Sequence, residues 1–293
     1  SVVFSLMTTT LWLSYGYRRV GLAGGLLAGL LHSVFAFAIY FGRETRMYSL
    51  FELTSTFFLL STYWESDSRG TQIKSYLGTF FVAISHYLSV VPLIGWSAVN
   101  VIFNSNRRRS LIICAITTVL GILFIIIVRL ESLQWQVSKY QIEENSRHPG
   151  SMLFELLGNW TGTAAMFGML IFLIWKSQRV ALRLGAYFFA PVILAWLASA
   201  YFQRSVFMPR YFIFLSPIAI LFVLIAFQES LKYSRKIKLG FLLLLIVLFS
   251  GQVQESIKKI AKVNPPWKEA AMLLNSNAPL KVFTSRPLSL QTP

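Results

Sequence analysis

The chain has 293 residues, of which 55% are hydrophobic and 13% charged, and its mean hydropathy is +0.60. Soluble domains carry about 25% charged residues, so this composition excludes an ordinary soluble fold and makes lipid the solvent for most of the chain. The net charge of +16 does not signal nucleic acid, because the basic residues form short clusters between apolar runs and no continuous patch.

Taken in order, the apolar runs are 2–16, 20–41, 48–64, 76–90, 91–104, 110–129, 160–175, 184–202, 211–227 and 239–253. Each approaches the 17–25 residues that cross a bilayer as a helix. The stretch 76–104 reads as two short helices hinged near Val90-Val91-Pro92, since proline disfavours continuing a helix. The expected fold is an all-α polytopic membrane protein with about ten transmembrane helices over residues 1–253. Residues 254–293 turn polar and read as the beginning of an extracytoplasmic α/β domain. There, Lys268 to Asn275 has a helical pattern and Leu280 to Thr284 suits a strand. The chain opens inside an apolar stretch with no basic start or cleavage site. Its end, Leu288 to Pro293, has no closing feature, so a fragment with a missing upstream segment is expected. The one cysteine, Cys114, lies within an apolar run and rules out an intrachain disulfide.

Loop charges set the orientation. If the spans alternate, one set of loops holds Arg18, Arg19, Arg69, Lys74, Arg107, Arg108, Arg109, Lys176, Arg179, Arg183, Lys232, Arg235, Lys236 and Lys238. The opposite loops before residue 253 hold half as many basic residues: Arg43, Arg46, Arg129, Lys139, Arg147, Arg204 and Arg210. Short loops rich in Lys and Arg face the cytoplasm, so the first set is inside. On the outer side, 130–159 forms a long loop in which Ser151 to Leu157 suits a short interfacial helix.

Two outer turns depart from this rule. Gly42-Arg43-Glu44-Thr45-Arg46-Met47-Tyr48 sets three charges between two apolar segments. In a helix Arg43 and Arg46 share one face, and Tyr40, Glu44 and Tyr48 line another. One glutamate does not fully neutralise two arginines. Either the turn is an interfacial cluster with an internal ion pair, or its guanidinium forks receive a phosphate. The second turn runs from Arg204 to Tyr211 and contains Arg210. Together the turns offer four arginines at one membrane surface, which suits a lipid phosphate.

Ionisable groups also fall at membrane depth, where they face protein or a water-filled cavity. His86-Tyr87 lies within 76–104, where a structural histidine and a pocket-lining one are both open. Glu52 is expected to pair loosely with Arg46 or to face the cavity, and His32 is expected to be structural. His32, His86 and His148 stand too far apart for metal-ligand spacing. Asn159-Trp160-Thr161 matches a glycosylation acceptor but abuts a span. Phosphate-cradling glycine loops, paired helical histidines and serine nucleophile elbows are missing from the sequence.

The segment Ala38-Ile39-Tyr40-Phe41-Gly42-Arg43-Glu44-Thr45-Arg46-Met47-Tyr48-Ser49-Leu50 resembles the Y-x-x-R-E-x-R-M-Y-x-L turn of bacterial polyprenol-dependent glycosyltransferases. These belong to the GT-C superfamily with its dolichyl-phosphate-mannose protein mannosyltransferase-like members. His86-Tyr87, Arg210-Tyr211-Phe212 before Pro217, and Trp267-Lys268-Glu269-Ala270-Ala271 follow in the order of that family. The resemblance implies a bacterial inner-membrane, inverting hexosyl or pentosyl transferase, active at the periplasmic or exterior face. Its partners would be membrane lipids, a polyprenyl-phosphate-linked sugar donor, and a lipid, glycan or protein acceptor. It implies Arg43, Arg46, Arg204 and Arg210 at the donor phosphate, with Tyr48, His86, Tyr87 and Tyr211 lining the pocket. The family's general base lies in a first outer loop, expected upstream of Ser1. Glu44 lies near the place of a second acidic residue. The superfamily admits a divalent cation, but no residue spacing here encodes a site for one, and no other cofactor is implied. The residues alone leave two other readings open: a flippase or transporter of an anionic lipid, and a non-catalytic scaffold. The transporter class typically shows inverted repeats, and none is visible in the sequence.

Overall fold

The computed structural model describes residues 1–42, 47–63, 69–86, 89–103, 111–113, 115–117, 119, 123, 156–157, 159–202 and 209–262. Among these the chain is helical and contains no strand. The principal helices are α1 (Val2–Val20), α2 (Leu22–Val34), α3 (Ala36–Gly42), α4 (Tyr48–Tyr63), α5 (Arg69–Ser85) and α6 (Val90–Phe103). They are followed by α7 (Trp160–Lys176), α8 (Gln178–Phe202), a 3-10 turn (Pro209–Phe212), α9 (Leu215–Ser230) and α10 (Arg235–Lys262). Two stretches within them, Gln178–Leu197 and Arg235–Lys258, are long and apolar enough to cross a membrane; α2, α6, α7 and α9 are apolar but shorter.

Small residues decide the first contact. Gly21, at φ 77°, is the one residue between α1 and α2 and adopts the left-handed backbone that glycine tolerates. The hairpin it closes packs backbone to backbone. A methyl group at Gly16 would collide with the carbonyl of Gly24, and one at Gly25 would sit 2.9 Å from Leu13 O. Between apolar helices, close approach of this kind replaces the hydrophobic drive that water supplies elsewhere.

The apolar run 20–41 is not one helix. It breaks at Phe35, whose backbone is extended at φ −69°, ψ 105°. A break between buried apolar helices frees backbone groups that must find partners inside the protein. Here α10 supplies them. Gln252 Oε1 accepts from Ala36 N at 3.0 Å, and Ser256 Oγ donates to Val34 O at 2.9 Å. Gln252 uses both ends of its amide, because its Nε2 also donates to Leu157 O at 2.8 Å. Gln252 lies at the end of the run that closes at 253 and Ser256 beyond it, and α10 continues as helix to Lys262.

The hinge near Pro92 is present as a break between α5 and α6, with Pro92 in the first turn of α6, where its missing N–H costs nothing. Pro191 is placed less comfortably, inside α8. It removes the N–H that would bond the carbonyl four residues earlier, that of Tyr187. The indole of Trp96 fills the gap, donating from Nε1 to Tyr187 O at 3.0 Å. Gly95, its neighbour, lets α6 approach: a Cβ there would lie 2.9 Å from Pro191 N.

The core is aromatic at its centre. Phe51 meets Phe214, Phe214 meets Trp96, and Trp96 stacks on Phe58 with ring centroids 5.5 Å apart. At one end of the bundle Arg183 donates to Tyr63 O at 2.8 Å and lies over the Tyr63 ring, whose neighbour is Tyr187. Tyr187 in turn donates to Asn100 Oδ1. Lys176 lies over the rings of Trp175 and Tyr233. The long outer loop 130–159 lies almost wholly outside the described residues, and the proposed outer-domain elements after residue 262 lie wholly outside them.

Candidate functional site

Three of the residues singled out for a pocket are described with their side chains, and they stand together. Tyr48 opens α4, His86 follows the last residue of α5, and Tyr211 lies in the 3-10 turn before α9. The His86 ring is stacked on Phe51 with centroids 5.0 Å apart and planes 16° apart. Tyr48 and Tyr211 each place a ring 5.7 Å from it. Three elements remote in sequence therefore converge on one imidazole, which is buried along with Tyr48, while Tyr211 is half-buried. The turn that holds His86 is bonded internally: Ser89 N donates to His86 O at 3.0 Å and Ser89 Oγ donates to Ala83 O at 3.1 Å. One turn deeper, Thr54 Oγ1 donates to Ser85 Oγ at 3.1 Å and joins α4 to α5.

Arg43, Glu44, Arg46, Tyr87 and Arg204 lie outside the described residues. Arg210 belongs to the 3-10 turn Pro209–Phe212, next to Tyr211, but its side chain lies outside the described set. Tyr48 in turn begins two residues after Arg46. The cluster thus adjoins both arginine turns along the chain.

Beneath it lies a polar group that the sequence did not assemble. Glu52, on the same helix as Tyr48, is 1% exposed. Ser216 Oγ lies 2.5 Å from its Oε1, and His32 Nε2 lies 3.4 Å from the same oxygen. His32 Nδ1 is 2.8 Å from Thr9 Oγ1, whose own hydrogen goes to Ser5 O at 3.0 Å. Nδ1 is therefore the donor to Thr9, which leaves Nε2 to face the carboxyl. Glu52 is held by His32 and Ser216, and His32 is structural in the specific sense of orienting that carboxyl. The signal available in the sequence was that His32 and Glu52 are opposite in chemistry and both sit within apolar runs. Ser216 carried no signal.

Asn159 has a different occupation from glycosylation. It caps α7, accepting from Gly162 N at 2.9 Å and from Thr161 Oγ1 at 2.6 Å, and its amide donates to Gly251 O at 3.3 Å. Asn at this position is favoured because it satisfies an orphan N–H of the first turn. Among the described residues, no group of three or more His, Cys, Asp or Glu stands together, so the structure adds no candidate for a divalent cation. Comparison with known protein families, with curated proteins and with solved structures finds no match to this chain.

Proposed function

We propose that the chain is the membrane-embedded part of a GT-C-like glycosyltransferase that moves a sugar from a polyprenyl-phosphate donor to an acceptor hydroxyl at the extracytoplasmic face. What carries this reading is the convergence of Tyr48 and Tyr211, each next to an arginine-bearing turn along the chain, on the ring of His86. The spans number about ten and alternate. Arg19, Lys176, Arg183 and Tyr233 belong to the cytoplasmic end, and the His86 cluster belongs to the outer one. Contacts between Tyr63 and Arg183, and between Lys176 and Tyr233, agree with that arrangement.

In the reaction, the acceptor oxygen attacks the anomeric carbon as the bond from that carbon to the phosphate oxygen breaks. The bonding pair leaves with the polyprenyl phosphate, whose charge grows in the transition state. Fixed cations at that oxygen lower the barrier, and Arg43, Arg46, Arg204 and Arg210 are the cations this chain offers. The acceptor proton passes to a carboxylate acting as general base. The resemblance expects that carboxylate upstream of Ser1, with Glu44, in the first arginine turn, as a second acidic residue. Tyr48, His86 and Tyr211 form the aromatic and polar wall against which the sugar packs.

Transfer of labelled sugar by the full chain in lipid tests this wall. His86→Ala and Tyr211→Ala are expected to raise KM for the donor while the protein remains folded. Unchanged KM and kcat in both variants would remove the cluster from the site.

A further inference from the structure

Glu52 is buried, and the side chains that meet its carboxyl, His32 and Ser216, are not among those assigned to substrate. Its partners nevertheless sit at telling places. His32 lies two residues before the end of α2, just ahead of the break at Phe35, and the short α3 then leads into the first arginine turn. Glu52 itself is in the second turn of α4, the helix that leaves that arginine turn. Ser216 is the second residue of α9, the helix that leaves the second arginine turn. One carboxyl group therefore meets the stem entering the first turn, the stem leaving it, and the stem leaving the other.

The chemistry makes these contacts firm. A lone polar group within an apolar bundle is costly, and Glu52 sets its carboxyl within reach of an imidazole and a hydroxyl instead. Ser216 has one hydroxyl hydrogen and two acceptors in reach, Glu52 Oε1 at 2.5 Å and Ile213 O at 2.8 Å. Either it donates to the carboxylate, or it receives from the protonated acid and donates onward to Ile213 O. Both arrangements hold the first turn of α9 against α4. From Thr9 on α1, through His32 and Glu52, to Ser216, four helices share one run of polar contacts, with hydrogen bonds at its two ends and a 3.4 Å approach of His32 Nε2 to Glu52 Oε1 between them.

We infer that Glu52 is a positioning residue that fixes the two arginine turns relative to each other by tying their stems through His32 and Ser216. This rests on the proposed function for the meaning of the turns, but the geometry it asserts is testable without transfer. Glu52 contacts no substrate in this scheme; it acts through the placement of the turns.

The test uses the full chain in phosphatidylcholine nanodiscs, with Cys114→Ala and spin labels at Met47 and Ser205, beside the two turns. Met47 is exposed, and pulsed electron resonance reads the distance distribution between the labels. In Glu52→Ala and Ser216→Ala the distribution is expected to broaden or shift. Binding of undecaprenyl phosphate is expected to weaken about tenfold, the lower end of the loss seen when partners that orient metal ligands are removed. Ser216→Thr, which keeps the hydroxyl, restores both. A merely structural role would lower thermal stability and leave the distance and the affinity of the folded fraction unchanged, and that result overturns the inference. If Glu52→Ala does not fold, Ser216→Ala decides alone, since it removes one hydroxyl. Wild-type protein that fails to bind undecaprenyl phosphate, with the distance still dependent on Glu52, sinks the functional proposal and sustains the positioning role.

Discussion

Glu52 Oε1 and Ser216 Oγ lie 2.5 Å apart although 164 residues separate them in the chain. The contact joins α4 to the start of α9, and both side chains are buried. Removing either end should therefore cost different amounts. Ser216→Ala deletes one hydrogen bond, and side-chain hydrogen bonds between membrane helices average about 0.6 kcal/mol. Glu52→Ala takes the carboxyl away from both His32 and Ser216, and each buried polar group left unpartnered costs about 1–3 kcal/mol. Thermal unfolding in detergent should rank the variants in that order. Glu52→Ala combined with His32→Ala should cost less than the two single losses added together, because they act as a unit.

A second pair obeys the same logic through the backbone. Trp96→Phe keeps most of the ring but withdraws the donor that Pro191 made necessary at Tyr187 O. An orphaned buried carbonyl costs about 1–3 kcal/mol. Pro191→Ala returns an N–H to the helix, so the loss caused by Trp96→Phe should shrink in the Pro191→Ala background. Equal losses in both backgrounds would mean that packing, not the hydrogen bond, is what Trp96 contributes.

The α1–α2 hairpin gives a steric prediction. Gly16→Leu forces apart backbones that touch at Gly24, and overpacking of this kind costs about 1–3 kcal/mol. Gly185, in α8, has open space where its Cβ would go. Gly185→Ala should be neutral or stabilising by up to about 1 kcal/mol, as helix propensity dictates. Melting temperatures of the two variants, measured side by side, check the contrast.

Gln252 supports the break at Phe35 from α10. Gln252→Leu leaves both Ala36 N and Leu157 O without the partners they have now. A destabilisation of about 1–3 kcal/mol is expected, with hydrogen exchange at Ala36 rising sharply. Unchanged exchange there would show that the break does not depend on this side chain.

Helices were legible in the sequence wherever a run of apolar residues ended at charge or proline, as at Pro92 and Lys176. The break at Phe35 was not, because Val34, Phe35 and Ala36 are all apolar and the group that satisfies the freed N–H is Gln252, remote in the chain. The same holds for Trp96 and Pro191: each is unremarkable alone, and only the fold shows that one answers the other. Within the candidate site, Tyr48, His86 and Tyr211 are named through the family resemblance, and His86 also stands out as an ionisable group inside an apolar run. The partnership of His32 with Glu52 and Ser216 could not, since helical spacing orders neighbours within an element and says nothing of which faces meet. The arginines that carry the functional proposal lie largely outside the described residues, so their role stands on charge placement and resemblance.

Sugar transfer by the full chain in lipid vesicles, with labelled polyprenyl-phosphate sugars and a crude acceptor pool, tests the central claim most directly. The account predicts transfer in the wild type and a loss of about 10²–10³ in kcat for Arg46→Ala and Arg210→Ala, the usual effect of removing one group that stabilises transition-state charge. Transfer that survives both substitutions, or arginine-dependent movement of the lipid between leaflets with no sugar transferred from any donor, would contradict it.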